Sequence, residues 1–150
     1  MIEYLDSNRD KNITIIVSGD TGFYSLLSFL RKNYKKEELD VTPGISSYQY
    51  LFSRIGEVWQ DYRLVSVHGR EAEYVKIFTD EKGVVLLTDN ENTPFVIAKN
   101  IFDSGFKKDI EIIVGERLSY PDEKITWVNI ENYKELDKKF QMNIVVVRKI

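Results

Sequence analysis

Four short runs, apolar except for Thr14 and Glu111, constrain this chain more than any other feature. They lie at 13–17 (ITIIV), 84–87 (VVLL), 110–114 (IEIIV) and 144–147 (IVVV). Apolar residues at successive positions cannot keep one face in water, so such runs fit strands covered on both sides. Between them lie segments with helical spacing. Phe23, Leu26, Leu27 and Leu30 form one face at i, i+3, i+4, i+7. That stretch ends in Arg31, Lys32, Lys35 and Lys36, cations that suit the negative end of a helix dipole. Tyr48, Leu51, Phe52 and Ile55 repeat the spacing, with Ser46 or Ser47 as a cap in front and Gly56 as a left-handed stop behind. Two further helices are expected over 71–78 and 94–102. The second has Pro94 at its first position, Asn92 or Thr93 as its cap, and Gly105 beyond its end.

Strands alternating with helices mean an α/β fold, here expected with largely parallel pairing. Two weaker strands are expected at 39–42 and 64–67. The natural division falls near 59–63, which gives two small α/β domains, 1–62 and 63–150. The first would hold only two strands, too little sheet for a self-sufficient layer. It is therefore expected to be incomplete, with residues 1–5 reading as the tail of a helix that begins upstream.

Composition removes several kinds of chemistry. The chain has no cysteine and one histidine, His68. Thiolate zinc sites, Fe–S clusters and cysteine nucleophiles are excluded, and no metal-ligand spacing exists. A net charge of -3 excludes a global basic field for nucleic acid. No apolar run approaches the roughly 18 residues needed to span a bilayer, and the first twelve residues do not read as a signal peptide. A soluble cytoplasmic protein is expected.

Four segments can carry chemistry, each at an expected strand end. In 18–22 (SGDTG), glycines let the backbone approach a ligand and Asp20 can meet a cation or a ribose hydroxyl. The same segment can equally be a plain strand-to-helix turn capped by Asp20 or Thr21. In 42–47 (TPGISS), the two serines can cap a helix or bind a ligand. In 68–70 (HGR), His68 can be a structural hydrogen-bonder, while the adjacent Arg70 suits an anion. In 115–123 (GERLSYPDE), Glu116 and Arg117 stand where ligands bind, and Asp122 and Glu123 read as a solvated turn. No Ser-His-Asp set is present, and no catalytic residue can be named.

Taken in order, SGDTGFYSLL, TPGISSYQYLFSRIG, WQDYRLVSVHGR, LLTDNENTPFVIAKNIFDSG and GERLSYPDEKI resemble the tetrapyrrole methylases. The likeness runs from about residue 13 to the last strand. Within that family it is greatest to the branch acting at C5 of the corrin precursor cobalt-precorrin-7 in cobalamin biosynthesis. The first motif departs from the family form, which has proline where this chain has Thr21. The family's N-terminal strand and glycine- and proline-rich loop have no counterpart here.

The resemblance implies two α/β domains with S-adenosylmethionine in the cleft between them. Gly19, Asp20 and Thr21 would line the donor site, with Phe23 and Tyr24 nearby and Ser46 and Ser47 from the second motif. Leu87, Thr88 and Asn143 would complete it. The substrate would meet His68, Arg70, Glu116 and Arg117, with Arg54 as a further cation for its many carboxylates. The reduced macrocycle is itself the carbon nucleophile and the sulfonium an activated leaving group. The protein then needs only to align them and exclude water. A homodimer is also implied. Two other readings are another tetrapyrrole methylase with a different substrate, and a non-catalytic remnant acting as a binding or dimerisation domain.

Overall fold

The computed structural model describes residues 1–67 and 73–150. They fall into two compact units, Met1–Ser46 and Ser47–Ile150.

The second unit is built on five strands: β1 (Tyr62–Ser66), β2 (Gly83–Leu87), β3 (Ile110–Glu116), β4 (Lys124–Asn129) and β5 (Asn143–Lys149). Their order is β1-β2-β5-β3-β4. The three apolar runs at 84–87, 110–114 and 144–147 supply the three central strands, and their residues are buried on both faces apart from Glu111 and Leu87. One set of alternating residues, including Val84, Leu86, Ile112, Val114, Val145 and Val147, packs under α4 (Tyr74–Asp80), α5 (Pro94–Asp103) and a 3₁₀ segment, Ile130–Leu136. The opposite set faces α3 (Ser47–Ile55). There Phe52 meets the Tyr62 ring edge-on at 4.8 Å, and a β-carbon at Gly115 would stand 3.0 Å from Leu51. Helices on both sides of the sheet explain why these runs are apolar at nearly every position.

The expectation of largely parallel pairing is overturned. Among the described residues only β1 and β2 pair in parallel, while β5 runs antiparallel to both β2 and β3, and β4 antiparallel to β3. A parallel neighbour needs a crossover of a dozen or more residues. The β1–β2 connection has that length and carries α4. The connection from β3 to β4 is only seven residues and returns the chain antiparallel.

Helix boundaries follow the capping residues. Thr93 caps α5, its hydroxyl accepting from the Val96 N–H at 3.3 Å, with Pro94 in the first turn and Gly105 at φ +103° beyond the end. Gly56, at φ +70°, closes α3. The helix expected over 71–78 is Tyr74–Asp80 among the described residues.

The first unit contains α1 (Ile2–Asp6), α2 (Leu27–Asn33) and a 3₁₀ turn, Lys36–Glu38. Arg9 bridges Asp6 at 3.0 Å and Glu38 at 2.9 Å, and the Tyr34 hydroxyl reaches Asp6 at 3.0 Å. Two expected strands are absent from it. Residues 13–17 and 39–42 form no ladder, and Ile16 is 92% exposed. A strand is stable only where a neighbour accepts and donates its backbone hydrogen bonds, and no described segment pairs with either. α2 also begins four residues later than its apolar face predicts. Tyr24, at φ +48°, leaves the right-handed helical path. Finally, α3 groups with the sheet, as part of the compact unit Ser47–Ile150.

Candidate functional site

In the first unit, the 18–22 and 42–46 loops are brought together by glycine. A β-carbon on Gly44 would stand 2.3 Å from the Gly19 carbonyl oxygen, so only glycine permits this approach. Gly19 itself takes φ +72°, in the left-handed region. Asp20 Oδ1 accepts from the Gly22 N–H at 2.8 Å, an Asx turn that shapes the loop, and the Thr21 hydroxyl approaches the Thr42 carbonyl at 3.5 Å. Phe23 and Tyr24 stand edge to face at 5.0 Å, and Ser46 is buried. One expectation changes. The 18–22 loop does not open directly into a helix, because α2 starts only at Leu27, so helix N-terminal amides are not part of this loop.

In the second unit, strand register gathers the remaining residues at one end of the sheet. Ser66 pairs with Leu87, Leu87 with Ile144, and Glu116 with Asn143. This is the carboxyl end of β1, β2 and β3, where open α/β sheets bind ligands. The Thr88 hydroxyl lies 2.7 Å from the Asn143 carbonyl oxygen and 2.9 Å from its side-chain oxygen, tying the end of β2 to the start of β5. Asp89 accepts from the Asn92 and Glu91 N–H groups at 2.6 and 2.9 Å, and Asn92 Nδ2 donates to the Val67 carbonyl at 3.1 Å. Three expected donor-site residues, Leu87, Thr88 and Asn143, are therefore neighbours.

The segment after β3 is held on several sides. Glu116 accepts from the Gln141 N–H at 2.6 Å, and the Arg117 N–H donates to the Met142 carbonyl at 3.0 Å. Arg117 has φ +46°. Its Nε lies 2.6 Å from Asp122 Oδ2, and its guanidinium sits 4.6 Å from the Tyr120 ring centre. The Arg117 guanidinium beside Asp122 holds its carboxyl below the usual carboxylate range.

Glu123 corrects the expectation of a solvated turn. Its side chain is only 12% exposed, and it accepts from the Ser119 N–H at 2.7 Å and from Arg54 Nε at 2.8 Å. The Ser119 N–H, with Tyr50 and Arg54, holds its carboxyl below the ordinary value. Arg54, expected as a substrate cation, spends its Nε on Glu123. Sequence reading missed this pair because its members lie 69 residues apart. It likewise missed Arg148, which pairs with Glu57 and Glu111 at the other end of the sheet.

Ser47 lies exposed at the start of α3. His68 and Arg70 lie outside the described residues. No helix among the described residues is long and apolar enough to cross a membrane.

The sequence pattern described as tetrapyrrole (corrin/porphyrin) methylases matches residues 2–133. The chain is 30% identical over 147 residues to the cobalt-precorrin-7 C(5)-methyltransferase of Salmonella typhimurium, covering 98% of this chain and 71% of that protein. Among solved structures, a precorrin-6Y methylase from Archaeoglobus fulgidus is similar with a TM-score of 0.69 at 20% identity, over 99% of this chain and 68% of that one. A uroporphyrin-III C-methyltransferase from Thermus thermophilus, complexed with S-adenosyl homocysteine, is similar with a TM-score of 0.62 at 20% identity, over 87% of this chain and 62% of that one.

Proposed function

The chain belongs to the tetrapyrrole (corrin/porphyrin) methylase family, and from that premise we propose that it methylates C5 of the corrin precursor cobalt-precorrin-7. The family makes it an S-adenosylmethionine-dependent methyltransferase of precorrin metabolism. The observation that carries the finer substrate reading is the identity of 30% maintained over 98% of the chain to an enzyme of that name.

The residues present fit the methyl donor. The Gly19–Gly44 approach leaves main chain, rather than side chains, at the loop surface, which suits close contact with a flat purine and a ribose. Asp20 and Thr21 add a carboxylate and a hydroxyl in the same loop, matching ribose hydroxyls or an α-amino group. When bound, S-adenosylmethionine supplies a methyl group already activated by a sulfonium. We assign Gly19, Asp20, Thr21, Phe23, Tyr24, Ser46 and Ser47 to donor binding, with Leu87, Thr88 and Asn143 at the sheet end. Thr88 fixes the Asn143 main chain through its hydroxyl, so these groups are oriented before any ligand arrives.

The tetrapyrrole enters as a polycarboxylate. Arg117 stands at the carboxyl end of β3 with its direction set by Asp122 and Tyr120. It is assigned, with His68, Arg70 and Glu116, to substrate binding. A planar guanidinium takes a carboxylate in bidentate fashion. The macrocycle carbon is the nucleophile, so no protein nucleophile is needed. The chain is further proposed to act as a homodimer, a reading supported by the half-exposed Trp127 on the edge strand β4.

The test is incubation with S-adenosylmethionine and cobalt-precorrin-7, followed by mass spectrometry and NMR location of the new methyl group. Methylation at C5 is expected. Transfer only to a different tetrapyrrole would retain the enzyme class and overturn the substrate. Light scattering of the purified chain tests the dimer.

A further inference from the structure

The loop between β3 and β4 is anchored to α3 by one largely covered carboxylate, and we propose that Glu123 is a positioning residue that aims Arg117 at a carboxylate of the tetrapyrrole. This rests on the reading that the carboxyl end of β3 meets that substrate.

The argument starts from backbone conformation. Arg117 and Ser119 have φ +46° and +69°. Neither residue favours the left-handed region, so both stay there only because their surroundings hold them. Two attachments do so. Leu118 and Leu51 crowd the same glycine, each about 3.0–3.1 Å from where a Gly115 β-carbon would stand, which wedges the front of the loop against α3. At the back, Glu123 accepts simultaneously from the Ser119 N–H and from Arg54 on α3. The carboxylate thus closes the loop on itself and onto the helix.

Arg117 directly precedes Leu118 and lies two residues from Ser119, so both attachments bear on it. Its own N–H is tied to Met142, one residue before Asn143, and its guanidinium is oriented by Asp122 and Tyr120. Asp122 is 61% exposed and cannot by itself fix a loop. Glu123, at 12%, can. Releasing Glu123 lets Ser119 and then Arg117 relax toward ordinary φ values, swinging the guanidinium away without removing it.

The experiment compares the parent chain with Glu123→Gln, Glu123→Ala, Arg117→Ala and the Glu123→Ala/Arg117→Ala pair. Affinity for S-adenosylhomocysteine is measured by calorimetry. Affinity for cobalt-precorrin-7, added with S-adenosylhomocysteine present, is measured by tryptophan fluorescence quenching. Arg117→Ala and Glu123→Ala are each expected to weaken macrocycle binding about tenfold and leave S-adenosylhomocysteine binding within about twofold. The double variant is expected to be no weaker than Arg117→Ala alone, because both act on one contact. Glu123→Gln, which keeps one acceptor oxygen and so can hold either the Ser119 N–H or Arg54 but not both, should recover part of the loss. Should Glu123→Ala fail to fold, Arg54→Met, at a half-exposed position, carries the same expectation in milder form. Unchanged macrocycle affinity in the Glu123 variants beside a weakened Arg117→Ala overturns this proposal and leaves the function standing. Additive losses in the double variant also overturn it. A parent chain that binds no tetrapyrrole overturns the substrate reading, and this proposal with it.

Discussion

Gly44 shows what one absent atom does. With hydrogen as its side chain, the 42–46 loop reaches the Gly19 carbonyl; with a methyl, the new carbon would stand 2.3 Å from that oxygen, and main chain would have to move. Gly44→Ala is expected to destabilise the loop pair by about 1–3 kcal/mol and to abolish measurable S-adenosylhomocysteine binding by calorimetry. Circular dichroism of the sheet should stay the same. Unchanged affinity would remove these loops from the donor site. Glu123 offers a pH test. Its carboxyl is held below the ordinary value of 4.5 by the Ser119 N–H, Tyr50 and Arg54. A depressed folded value means that its contribution to stability is complete above about pH 4.5 and is lost as the pH falls through the folded value. Glu123→Gln should therefore flatten the stability curve on the acid side of pH 4.5, as read by urea denaturation, and change its slope little near neutrality. At this scale the sequence was partly legible. Glycines and hydroxyls marked the loops, because turn chemistry is local. The partners of Arg54 and Thr88 were hidden, because each lies 55 or more residues away.

Elements divide along the same line. α5 was readable to within a residue, since Thr93, Pro94 and Gly105 act only on the turn beside them. Thr93→Ala should cost about 1 kcal/mol, seen as a lower urea midpoint with an unchanged slope. α2 was displaced by Tyr24, whose left-handed conformation carries no signal in the apolar spacing. β4 was missed because it is an edge strand, only partly buried, with no continuous apolar run. The opposite error occurred at 13–17, where a strongly apolar run has no strand partner among the described residues. Propensity proposes a strand; only a neighbour makes one.

For the molecule as a whole, the two units should differ in how they open. β2, β3 and β5 lie inside the sheet with their residues almost wholly buried. Their amides are expected to exchange hydrogen only on global unfolding of the Ser47–Ile150 unit. Amides at 13–17, outside any ladder, should exchange at close to unprotected rates. Mass-resolved hydrogen exchange reads both, and protection at 13–17 equal to that of β5 would show a pairing partner in solution. By itself, the sequence determined the α/β class, the three central strands, a cap at Asn92 or Thr93, the stop at Gly56, and the family. All of these rest on contacts within a few residues or on motifs repeated in order along the chain. The tertiary structure alone decided that β5 slots antiparallel between β2 and β3, that Leu87, Thr88, Asn143 and Glu116 share one end of the sheet, and that Glu123 anchors its loop to α3. Those outcomes depend on which distant segments satisfy one another's hydrogen bonds and apolar faces, and no local pattern encodes that choice.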